Sequence, residues 1–80
     1  MSEKEKLIIK QLGYTTFVLY YYILHNKTFS NKEMEWELGM SKESRYRALQ
    51  KLKAHGVIQV SGYCYNREFT VCHENNWQFN

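Results

Sequence analysis

SNKEMEWELGMSKESRYRALQKLKAHGVI, residues 30–58, contains two short amphipathic patterns joined by Gly39-Met40-Ser41, and most of its positive charge lies in the second. Ser30 is followed three residues later by Glu33, the signature of a capping box in which each side chain accepts from the other residue's exposed backbone N–H. Met34 and Leu38 supply a buried stripe, and Gly39 stops this helix after two turns by taking a left-handed conformation at little steric cost. Ser41 caps the next helix, residues 41–55, in which Ser44, Ala48, Leu49 and Leu52 face inward until Gly56 ends it.

Beyond Gly56 the period changes from helical to alternating. VIQVSGYCYNREFTVCH, residues 57–73, reads as a hairpin with a turn near Asn66-Arg67, which sets Cys64 opposite Phe69 and Gly62 opposite Val71. Ile58, Val60, Cys64, Phe69 and Val71 then share one face, and Tyr63, Tyr65, Thr70 and Cys72 the other. On the N-terminal side, residues 17–24 are apolar almost all round, so a helix capped by Thr15 or Thr16 and running to about His25 belongs in the centre of the core. Before it, residues 3–12 place Leu7, Ile8 and Leu12 on one stripe between charges, a short helix that Gly13 ends.

Eighty residues suffice for one domain with one modest core, here residues 15–73 with an N-terminal helix at 3–12 and an aromatic tail at 74–80. Apolar residues at 44% and charged residues at 24% are those of a chain that folds. The apolar run at 17–24 is short of the roughly 20 residues a membrane span needs, and the charged N-terminal stretch lacks a signal-peptide core. Two cysteines, Cys64 and Cys72, do not make a disulfide framework, so the expected location is cytoplasmic. The net charge of +3 is unevenly placed: residues 1–40 hold five lysines against five glutamates, whereas residues 41–80 hold six basic side chains against three glutamates. Such segregation suits a face for a polyanion, although a solvated basic surface has the same signature.

The order helix, short helix, Gly-x-Ser turn, basic helix and hairpin resembles the winged helix-turn-helix family of DNA-binding domains. The words that carry the resemblance are Leu38-Gly39, Met40, Ser41, Tyr46-Arg47-Ala48-Leu49 with Leu52, and Gly56-Val57-Ile58, and it covers residues 15–73. The resemblance implies a mainly α fold with a small β-hairpin, a three-helix core and a two-stranded wing, and an additional N-terminal helix. It also implies a sequence-specific double-stranded DNA-binding protein, a small transcriptional regulator of the kind carried by phages, plasmids and other mobile elements, with helix 41–55 in the major groove. Two positions depart from the pattern, Glu35 where members commonly have Ala and Arg45 where they have a β-branched apolar residue. An unpaired buried charge is costly, so Glu35 is expected to pair with a lysine and Arg45 to snorkel toward solvent and a phosphate.

The residue chemistry agrees with this reading. On the outward face of helix 41–55, Lys42, Glu43, Tyr46, Arg47 and Gln50 are the candidate base contacts: Arg47 can pair with the guanine edge, Gln50 with adenine, and Tyr46 can pack on a thymine methyl. Ser41, Arg45, Lys51, Lys53 and the hairpin tip Tyr65-Asn66-Arg67 are the candidate phosphate contacts. Because one such helix reads only a few base pairs, a homodimer on half-sites about 10 base pairs apart is expected. Its candidate interface comprises Leu7, Ile8, Trp36, Trp77 and Phe79, although Trp77 and Phe79 can equally fold back onto the first helix.

Other chemistries are poorly served. Cys64, Cys72 and His73 lack the close spacing of a zinc site, Glu33 and Glu37 read as an acidic solvent face, and His25 and His55 suit helix C-termini. Neither a metal nor a cofactor is expected, and no enzyme. The second functional reading is a winged helix used as a protein-interaction or assembly module, for example in a replication complex, with Trp36 and the tail as its contact surface.

Overall fold

The computed structural model describes residues 1–26, 38–62 and 68–79. It is mainly helical with one antiparallel hairpin. Helix α1 (Glu3–Leu7) continues into a π-helical turn (Ile8–Leu12). Helices α2 (Tyr14–His25) and α3 (Lys42–Ala54) follow, then strands β1 (Ile58–Ser61) and β2 (Glu68–Val71) and a 3-10 turn (Glu74–Asn76). The expected capping box at Ser30 and Glu33, with Glu35, Trp36 and Glu37, lies outside the described residues, as do Cys64 and the hairpin tip Tyr65-Asn66-Arg67. No helix among the described residues is long and apolar enough to cross a membrane.

A capping box does occur, at the start of α1: Ser2 Oγ accepts from the Glu5 amide at 3.1 Å, and the Ser2 amide donates to the Glu5 carboxylate at 2.9 Å. The helix ends where Gly13, at φ +100°, donates to the carbonyls of Ile8 and Ile9. Gly13 is also the N-cap of α2, correcting the expected Thr15 or Thr16 cap. The helix starts two or three residues earlier than that cap requires, and Thr16 lies in the core at 3% exposure. At the other end Asn26 Nδ2 donates to the Tyr22 carbonyl at 3.0 Å, satisfying one of the terminal acceptors.

The core gathers Ile8, Leu12, Leu19, Tyr20, Ile23, Ala48, Leu52, Val57, Ile58, Phe69 and Trp77. Helix α2 is central, packing against the π-helical turn, α3 and β2. Gly39 has φ +63°, a left-handed backbone, while the helix it is expected to stop lies almost entirely outside the described residues. Ser41 caps α3 as expected, accepting from the Ser44 amide at 3.1 Å. The C-terminus closes in a Schellman motif, with Val57 N–H donating to Leu52, Gly56 N–H to Lys53, and Val57 packed with Leu52 out of solvent.

The hairpin pairs Ile58 with Val71 and Val60 with Phe69. Phe69 therefore faces Val60 rather than the expected Cys64, and Val71 faces Ile58 rather than Gly62. A shift by an even number of residues leaves each described strand side chain on its expected face. Ile58 and Phe69 are buried while Gln59 and Thr70 are exposed. The register seats two apolar pairs together, and the Cys72 amide extends it by donating to the Val57 carbonyl at 2.8 Å.

The tail is part of the fold. Trp77 is 6% exposed, its ring edge-on to Tyr20 with centroids 5.5 Å apart, and its Nε1–H donates to the Cys72 carbonyl at 3.0 Å. Phe79 stacks on His55 at 5.2 Å, while the backbone N–H of Gln78 donates to the His55 carbonyl and His55 Nδ1–H donates to the Gln78 carbonyl, each at 2.7 Å. Ser2 Oγ donates to Glu74 Oε1 at 2.7 Å and Lys4 Nζ to the Glu74 carbonyl at 2.6 Å, tying the tail to the start of α1. Ile8 and Trp77 are thus removed from the expected dimer interface, because each is consumed by the core of its own chain. Leu7 and Phe79 are only partly exposed.

Candidate nucleic-acid interface

Helix α3 divides cleanly by phase. Arg45, Ala48 and Leu52, at three- and four-residue steps, point inward and are buried. This corrects two expectations. Ser44 is exposed, its amide and hydroxyl both engaged with Ser41 Oγ. Arg45 takes the inward place and is 6% exposed, so it does not reach a phosphate. Burying a guanidinium demands partners, and no buried side-chain nitrogen or oxygen among the described residues lacks one.

Leu49 is half-buried against the core, and the remaining surface of α3 is solvent-facing. Lys42, Glu43, Tyr46, Arg47 and Gln50 are all exposed, Tyr46 at 65% despite its ring. Lys51 and Lys53 continue the basic character toward the C-terminus on opposite flanks. Among the described residues the only ion pair joins Lys6 to Glu3 at 3.5 Å, leaving the exposed cations of α3 without a carboxylate partner there. The structure thus brings the base-contact candidates onto one exposed helix face, with Ser41 at its N-terminus.

One flank of that face is concave. Leu12 from the end of the π-helical turn, Gly13, and Thr15 and Thr16 from the first turn of α2 meet Ser44, Arg47 and Lys51 from α3 around a cleft of about 260 Å³. Lys51 Nζ donates across it to the Leu12 carbonyl at 3.4 Å. The contribution of α2 to this cleft was missed in the sequence. The signal for it is Gly13 itself, which starts α2 without a side-chain acceptor and with no acidic residue in the first turn.

A second concavity, about 420 Å³, runs along α2 and is lined by Tyr14, Phe17, Val18, Tyr21, His25 and Leu38 among others. Tyr14 and Tyr21 are 70% and 53% exposed. Because α2 is apolar on nearly every side, periodicity could not tell its buried residues from these. Among the described residues no group of three His, Cys, Asp or Glu side chains could hold a metal ion; His73 instead caps the 3-10 turn, its Nδ1 accepting from the Asn75 amide. No family model, curated protein or solved structure matches the chain.

Proposed function

We propose that the protein is a sequence-specific double-stranded DNA-binding protein with a winged helix-turn-helix architecture, acting as a cytoplasmic transcriptional regulator by occupying its site. The observation that carries this reading is the outward face of α3. It holds Lys42, Arg47, Lys51 and Lys53 against the single acid Glu43, with Tyr46 and Gln50 between them, on a helix firmly capped at one end and locked by a Schellman motif at the other. A rigid helix fits the major groove, where guanidinium and amide groups meet base edges and an aromatic ring packs on a thymine methyl. The hairpin 57–73 serves as the wing, and a homodimer supplies the second half-site.

Selection of bound sequences from random duplex tests the reading, followed by binding isotherms at several salt concentrations. Gln50→Ala is expected to cost roughly 1–3 kcal/mol at the best site and to flatten the preference at one position. Lys53→Ala should instead weaken every duplex alike and lower the slope of log affinity against log salt by about 0.9. Absence of salt-dependent duplex binding would refute it. The apolar groove along α2 favours the second reading, a protein-interaction module, and capture of a defined partner that is lost on Tyr21→Ala would put that reading first.

A further inference from the structure

Arg47 and Lys51 stand one helical turn apart on α3 and open into the same cleft, which among the described residues no carboxylate lines. Like charges at this spacing repel, and the one acceptor that Lys51 meets among the described residues is the neutral carbonyl of Leu12. Among the described residues the cleft is therefore a concave site with two cations and no counter-charge. At about 260 Å³ it has room for an anion with water around it, given about 30 Å³ per water. Ser44 and Thr15 add hydroxyl donors at its rim, and the start of α2 adds partial positive charge.

We infer that this cleft binds a phosphodiester of the DNA backbone, held between Arg47 and Lys51 of α3 and the first turn of α2. The inference rests on the duplex-binding reading and changes the role of one residue within it. Arg47 grips the backbone instead of reading a base, so base selection falls to Lys42, Glu43, Tyr46 and Gln50. A second element, α2, then fixes how deeply α3 enters the groove, because both elements hold the same phosphate.

Dimethyl phosphate, a phosphodiester without a base, is the direct probe. Titrated into the isotopically labelled protein, it should give saturable shifts of the Thr15 and Thr16 amides and of the Arg47 side chain. The shifts should vanish in the Arg47→Gln/Lys51→Gln double variant and persist in Lys53→Gln, on the opposite flank. The charge-keeping Arg47→Lys and Lys51→Arg variants should retain them, which separates loss of charge from loss of fold. With DNA, the double variant should bind selected and scrambled duplexes more weakly by the same factor and lower the salt slope by about 0.9, one phosphate's worth, leaving the base preference unchanged. Shifts that never saturate, or that survive in the double variant, overturn the cleft. Duplex binding indifferent to both substitutions also overturns it, while leaving the DNA reading intact. Saturable phosphodiester binding without any duplex binding overturns the assignment to DNA.

Discussion

The C-terminal tail, with Trp77 and Phe79, and the outward face of α3, with Tyr46, look alike in the sequence, since each sets aromatic side chains among polar groups and each is a candidate contact surface. In the fold they part. Trp77 lies against Tyr20 with its N–H spent on Cys72, and Phe79 lies flat on His55, whereas Tyr46 stands out in solvent. Aromatic content does not mark an interface. What separates the two is whether the chain can bring an apolar wall and a hydrogen-bond acceptor to the ring, and for Trp77 it brings both.

The sharpest way to break this comparison is Trp77→Ala. Removing a buried indole should cost about 3–5 kcal/mol, read as a fall in the denaturant midpoint of the isolated protein. A tail that served only a partner would leave that midpoint unchanged. Gly56→Ala comes next. Gly56 has φ +72°, and a Cβ there would lie 2.7 Å from the Asn76 carbonyl oxygen. The left-handed backbone alone should cost about 1–2 kcal/mol, and the clash should push the tail off, giving a red-shifted Trp77 emission before the cooperative transition.

Tyr20→Phe is expected to be smaller. Its hydroxyl donates to Glu5 Oε2 at 2.8 Å, a bond worth about 0.5–1.5 kcal/mol. Burial first, and then that bond, push the Tyr20 pKa above the usual phenol range. The resulting stabilisation is fully present below pH of about 10 and is lost as the pH rises from there. Unfolding followed from pH 8 to 11 should show the wild type losing stability faster than the variant. Glu5 has the opposite dependence: the hydrogen bond from the Ser2 amide, and then that from Tyr20, hold its carboxyl below the usual range against the opposing effect of burial. Its contribution is present above pH of about 4.3 and is lost on acidification, so Glu5→Gln should flatten the acid limb of the same curve. The smallest effect sharpens the other half of the comparison. Tyr46→Ala should change stability by no more than about 0.5 kcal/mol, while duplex affinity falls.

Much of the architecture was legible because it rests on local chemistry. Ser41 and Gly56 bound α3 as their types dictate, and the alternation of residues 57–73 assigned each described strand residue to its observed face even though the register was displaced. Register depends on which apolar pairs dock onto α2, and that is not local information. The Arg45–Ser44 exchange was missed for a related reason. Periodicity admits either residue to the inward stripe, and polarity argues against arginine; the choice follows from the rotation of α3 against its neighbours. Of the candidate site, the exposed face of α3 could be read directly, but its concave flank could not, because Gly13 and Thr15 lie more than 25 residues away in sequence from the residues they meet.

The bonds from Ser2 and Lys4 to Glu74 join residues 72 and 70 positions apart. Closing a loop that spans nearly the whole chain carries a large entropic cost, which is recovered only once the segments between are already compact. The clasp between α1 and the tail is therefore expected to form after the folding barrier has been crossed. Substitutions within it should hasten unfolding while leaving the folding rate nearly unchanged. Amide exchange should first expose the 3-10 turn and the opening residues of α1, together and as one cooperative unit.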